Sequence, residues 1–152
     1  MNPLLFDILL RFRTHPVALS ADIEAAYLQI LVHPDDRDYM RLLYFDDVTA
    51  ENPKVVKYRF TRVIFGASSS PFLLARVIRN HAEKYKDEDP AFVEAVLRQL
   101  YADDFNGGAP NQRDGYELYK KLKSRFKEAN FNFRKWRTND QELQSTSMCV
   151  KE

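Results

Sequence analysis

The segment QLYADDFNGG, residues 99–108, sets two adjacent aspartates between an apolar-aromatic run and a second run that ends in paired glycines. A short interruption between two such runs predicts a hairpin centred on Ala102-Asp103, with Asp103 and Asp104 at its tip. Working outward, Pro90 opens a helix that reaches about Arg98, because proline is pre-organised for a first helical turn. On the other side Asn111 starts a helix to about Ala129, with Tyr116, Tyr119, Leu122 and Phe126 at the 3–4 spacing of one buried face.

The same reading extends to both ends. Leu5, Ile8, Leu9 and Phe12 mark a short helix that starts at Asn2-Pro3 and stops before His15-Pro16. Val17–Ala21 reads as a short buried strand with Asp22 at its end. Residues 23–30, IEAAYLQI, form a turn or short helix that ends near His33-Pro34. Tyr39–Phe45 and Lys54–Phe60 form a hairpin across a polar stretch. Pro71 opens a helix through about Tyr85, and 87–89 is an acidic loop. Phe131–Trp136 is the last strand, and the tail from Thr138 is polar and loosely ordered. Strands and helices are mixed rather than strictly alternating. This predicts an α+β fold, an antiparallel sheet with helices packed on one face.

A chain of 152 residues predicts one domain, and its 11 Phe and 8 Tyr exclude a disordered one. No apolar run approaches the ~20 residues of a membrane span, so no membrane partner is expected. No secretory leader is evident, and a single cysteine, Cys149, excludes an internal disulfide framework. Both point to an intracellular, reducing compartment. The formal charge of +1 hides an uneven distribution. Residues 118–137 carry eight basic side chains against one acid, which suits either a polyanion or a solvated helix face.

Carboxylates at strand ends can converge from distant parts of a chain. Asp22, Asp103 and Asp104 together suit Mg²⁺, a hard cation that takes phosphate oxygens as further ligands. A pair of such ions supports phosphoryl transfer. The doublet alone says little, since Asp35-Asp36 and Asp46-Asp47 also occur, both in what read as solvated loops.

Four ordered segments add specificity: HPVALSADIEAAYLQI (15–30), YRFTRVIFGASSSPFLL (58–74), YADD (101–104) and FNFRKWRTN (131–139). Together they resemble the palm subdomain of reverse transcriptases, most closely that of the BEL/Pao class of LTR retrotransposons, over about residues 4–143. The resemblance implies a polymerase palm of ferredoxin-like, RRM-like layout at 1–143, followed by a polar tail at 144–152. It implies an RNA-directed DNA polymerase that joins a dNTP to a primer 3′-hydroxyl on an RNA or DNA template, in the cytoplasm or in virus-like particles.

By resemblance, Asp22, Asp103 and Asp104 are the metal-binding aspartates, with the Ile23 carbonyl completing a shell for two Mg²⁺ ions, replaceable by Mn²⁺. Tyr27 is the aromatic gate beneath the nucleotide sugar, or else a core tyrosine. Phe65 lies in the nucleotide pocket. Gly66 lets backbone approach the base pair, or simply supplies a turn. Lys135 is associated with the triphosphate, although Arg134 and Arg137 leave that register open and a plain surface lysine fits equally. The sequence departs from the family pattern at Ile64, Ala25 and Phe133, none of which removes a catalytic group.

Fingers and thumb lobes, and a ribonuclease H region, belong to such polymerases but find little room around these motifs. The expectation is therefore a palm that polymerises weakly by itself and whose partners include the remaining lobes of a polyprotein. The competing readings are a non-catalytic remnant and an RRM-like nucleic-acid-binding module, the latter expected to expose aromatics on its sheet face.

Overall fold

A computed structural model describes residues 5–145. The Asn2-Pro3 helix start, Cys149 and the tail from 146 lie outside the described residues. In chain order the elements are α1 (Leu5–Phe12), β1 (Val17–Ile23), 3₁₀ turns at Ala26–Gln29 and Pro34–Tyr39, β2 (Arg41–Phe45), β3 (Val55–Arg59), α2 (Ser70–Glu83) and α3 (Pro90–Gln99). There follow β4 (Leu100–Tyr101), β5 (Asp104–Ala109), α4 (Gln112–Lys127), β6 (Phe133–Thr138) and α5 (Gln141–Ser145).

β1 alternates in burial: Val17, Leu19, Ala21 and Ile23 are buried, while the residues between them are half-exposed. That period of two makes one face of the sheet apolar and leaves the other polar. The sheet has four antiparallel strands in the order β4-β5-β1-β6, so β1 is flanked by the hairpin strand β5 and the late strand β6. Against the apolar face stand Leu74 and Ile78 of α2, Phe92 and Val96 of α3, and Tyr119, Leu122 and Phe126 of α4, all in one cluster. Edge-to-face aromatic contacts knit it, with Phe126–Phe133 at 5.1 Å and Tyr119–Trp136 at 4.8 Å between ring centres. The α+β antiparallel architecture is the one expected from the sequence.

At Gly108 β5 packs tightly against β1, since a Cβ there would collide with the Val17 carbonyl and the His15 side chain. β2 and β3 form a separate two-stranded ribbon, almost wholly exposed, anchored at its base by Asp38 between Arg41 (2.7 Å) and Arg59 (3.2 Å). Asp46 at its far end accepts from the Asp47 and Lys54 amides, so that acidic pair closes the turn rather than merely facing solvent.

The turn after β1 closes at Gln29, short of His33-Pro34 as expected, and Pro34 begins a second 3₁₀ turn, with His33 Nδ1 accepting from the Asp35 amide. Two local expectations change. β6 lies two residues later than expected, at Phe133–Thr138. The tail beyond Thr138 is also ordered at first: Asp140 Oδ1 accepts from the Leu143 amide at 2.9 Å and caps α5, whose Leu143 is buried. Asn139 ties this turn to the start of β1 through Ala18 and Pro16. A lone leucine within the polar run 138–145 is too small a signal to read.

Candidate active site

Because Ile23 and Phe105 turn inward, their neighbours Asp22 and Asp104 lie on the open face, and the register of β1 against β5 sets these two aspartates directly opposite each other. The turn is tied to β1 by the Ile23 amide, which donates to the Asp103 carbonyl at 2.7 Å. Burial raises the pKa of Asp104 above the usual carboxylate value, and the charges of Asp103 and Asp22 raise it further, partly offset by Lys135. Asp22 has one oxygen held by Lys135 Nζ at 2.8 Å; its Oδ1 is buried and accepts no hydrogen bond.

Lys135 reaches Asp22 through a defect in the sheet. Ser20 pairs with Arg137 and Asp22 with Arg134, so β6 has one residue more than β1 over this span. Lys135 has φ 52, the left-handed conformation that a β-bulge uses to re-aim a side chain. Of the three cations whose register the sequence left open, Lys135 contacts Asp22, Arg134 pairs with Glu24, and Arg137 lines the same cleft. The hydrogen bond and charge of Asp22 hold the Lys135 ammonium above its ordinary pKa.

Tyr27 is buried in the 3₁₀ turn that follows β1, and its ring meets that of Phe65 edge-on at 4.5 Å. Burial raises its pKa, as do the charges of Asp103 and Tyr101, so the phenol stays neutral. Phe65 itself is 67% exposed. Gly66 has φ 90, and a Cβ there would meet nothing within 4 Å, so backbone conformation is what demands glycine within this chain. The loop is pinned by Ser70, fully buried, whose Oγ donates to the Ile64 carbonyl at 2.7 Å.

Among the described residues, four non-glycine positions have positive φ: Ala25, Ala102, Asn130 and Lys135. Asn130 follows the end of α4, where asparagine commonly takes this conformation. The other three flank the carboxylates, each in a residue type that seldom adopts it. Strained backbone of this kind gathers at functional sites.

The open face forms a cleft of about 310 Å³ bordered by Ser20, Asp22, Asp104, Asn106, Lys135 and Arg137. A second cavity, about 540 Å³, runs between α2 and α3 and meets the 102–103 turn only at Ala102. Its lining is largely apolar, so the smaller cleft, which holds the carboxylates and cations, is the candidate site. Among the described residues no three His, Cys, Asp or Glu side chains gather as a metal cage. Asp22 and Asp104 are paired, while Asp103 stands on the turn and acts on Asp104 and Tyr27 through its charge. The donor set nevertheless fits a hard divalent cation: carboxylates crowded enough to raise a pKa, and one buried carboxylate oxygen with nothing to accept.

Nothing in the sequence announces the Ser70–Ile64 hydrogen bond, the Glu24–Arg134 pair or the positive φ at Ala25, Ala102 and Lys135. A buried serine and a bulge leave no periodic signal; a lysine in a strand adjoining an aspartate-bearing one was the only available hint. His81, read from the sequence as structural or surface, is buried with Nε2 2.7 Å from the Arg125 carbonyl, away from the cleft. No helix among the described residues is long and apolar enough to cross a membrane.

A family model described as reverse transcriptase (RNA-dependent DNA polymerase) matches residues 6–141, from α1 to the first residue of α5. No curated protein gives a match.

Proposed function

The chain belongs to the reverse transcriptase family, the RNA-dependent DNA polymerases, and from that premise we propose that its sheet is the catalytic palm of a BEL/Pao-type retrotransposon polymerase. The palm spans 1–143, and its setting is the cytoplasm or a virus-like particle. Members of the family act on a nucleic-acid template and primer with a deoxynucleoside triphosphate. In this chain Asp22, Asp103, Asp104 and the Ile23 carbonyl would hold two Mg²⁺ ions. When bound, the ions neutralise charge on the attacking and leaving oxygens of an in-line phosphoryl transfer.

The remaining work falls to the protein. Tyr27, in edge-on contact with Phe65, would stand where a 2′-hydroxyl meets its ring, which would select deoxynucleotides. Gly66 leaves the adjoining backbone bare for close approach of a base pair. Lys135 and Arg137 put positive charge on the cleft wall, where triphosphate oxygens would lie.

The observation that carries this reading is the cross-strand pair Asp22–Asp104 with its buried, unpartnered Oδ1. A stacking module for single-stranded RNA would want aromatics at the centre of the open face, which instead carries Ser20, Asp22, Asp104 and Asn106. The test is a Mg²⁺ titration followed by amide NMR shifts. Shifts centred on Asp22 and residues 103–104 are expected in the wild type and not in Asp104→Asn. Identical titrations would remove the basis of the reading. Primer extension by the 152-residue chain alone should be weak. Robust extension on an RNA template would overturn that part.

A further inference from the structure

Asp22 is held from one side only. Lys135 Nζ takes Oδ2 at 2.8 Å, while Oδ1 is buried without a partner. The lysine is fixed at its backbone and free at its head. Its Cα sits in a left-handed bulge, yet its side chain is 75% exposed against 27% for Asp22. An ammonium so placed can swing into water without disturbing any packed group. Its neighbours cannot do the same: Arg134 is engaged with Glu24, and Arg137 lines the cleft wall without pairing to Asp22.

We propose that Lys135 is the resident counter-ion of Asp22, and that a divalent cation enters the site by exchanging with it. The metal takes the carboxylate, and the ammonium, still protonated, leaves toward the cleft wall. The bulge then has a purpose, since it holds a cation against Asp22 while no metal is bound and limits the repulsion between Asp22 and Asp104. This inference rests on the metal-binding reading of these carboxylates, and it makes Lys135 a positioning residue whose effect is on metal affinity.

The test uses Mn²⁺ as the probe, with binding to the full chain followed by electron paramagnetic resonance. Lys135→Gln and Lys135→Gly remove the competing charge and should bind Mn²⁺ about tenfold tighter than wild type. Lys135→Arg keeps a cation beside Asp22 and should remain near the wild-type affinity. In parallel, the acylation rate of Lys135, read by mass spectrometry against the other lysines, should rise severalfold when Mg²⁺ is added. If Asp22→Asn weakens Mn²⁺ binding but Lys135→Gln leaves it unchanged, the exchange is wrong and the metal site stands. Constant Lys135 reactivity while the metal binds would be equally damaging. If neither wild type nor Lys135→Gln binds Mn²⁺, the exchange and the metal-binding reading fall together.

Discussion

Asp89 and Asp22 are both largely withdrawn from solvent, with side chains 15% and 27% exposed, yet the chain surrounds them differently. Asp89 caps α3 through the Phe92 amide and meets Lys121 at 2.6 Å and Arg125 at 3.1 Å. Arg125 in turn stacks on Tyr85 and Phe92 and pairs with Glu88. Everything there is satisfied, and the cluster binds the 84–89 connection to α4. Asp22 keeps one oxygen in reserve and takes its sole lysine from a strained bulge. The contrast separates a carboxylate whose two oxygens are both engaged by the fold from one that keeps an oxygen unpartnered, as the proposed metal role requires.

The largest effect should come from removing each charge. Asp89→Asn leaves Arg125 half-buried with only Glu88 and should cost about 2–3 kcal/mol of stability, measured by urea denaturation. Asp22→Asn should cost little in the absence of metal, because the ion pair it weakens is with the exposed Lys135 ammonium and its repulsion with Asp104 is relieved at the same time. A comparable loss in both variants would erase the distinction.

Next comes backbone strain. Ala102→Gly should stabilise the chain by about 1 kcal/mol, since an L-residue in the left-handed region pays roughly that amount and glycine does not. Asn130→Gly should change stability by only a few tenths, because asparagine tolerates the conformation behind α4. The gain at Ala102 should come with broader amide signals at Asp103 and Asp104, as the turn loses rigidity. Equal gains at both positions would mean that the site holds no special strain.

Much of this was legible in the sequence, for definite reasons. The hairpin around 99–108 and the helices after Pro90 and Asn111 follow from local rules: turn placement, proline at a first helical turn, an asparagine cap and a 3–4 apolar spacing. The opposition of Asp22 and Asp104 follows once β5 and β1 pair, although pairing is a long-range choice that only the motif order suggested. The bulge at Lys135 depends on a single extra residue between two strands far apart in the chain, and no local preference of Lys-Trp announces it. The satisfaction of Asp89 likewise depends on Lys121 and Arg125 arriving from α4. In the sequence 87–89 reads as an acidic loop and 118–129 as a basic helix; only folding shows that part of that charge is spent internally.

The smallest effect, and the sharpest separation, is in acid. Burial pushes the Asp89 pKa up, but the hydrogen bonds from Lys121, Phe92 and Arg125 and the charge of Lys121 outweigh it, leaving Asp89 below the ordinary value of 3.8. Its stabilisation is therefore complete above that value and is lost as pH falls through the lower, folded pKa. Asp104 behaves in the opposite sense. Its folded pKa lies above 3.8, so ionisation works against the fold: the penalty is full above the folded pKa and disappears as pH falls to the unfolded one. Asp104→Asn should then be more stable than wild type near neutrality, with the gain vanishing toward about pH 4. The deficit of Asp89→Asn should persist there and shrink only at still lower pH. Urea denaturation from about pH 3 to about pH 7 reads both differences, and parallel profiles for the two variants would show that the carboxylates experience the same environment after all.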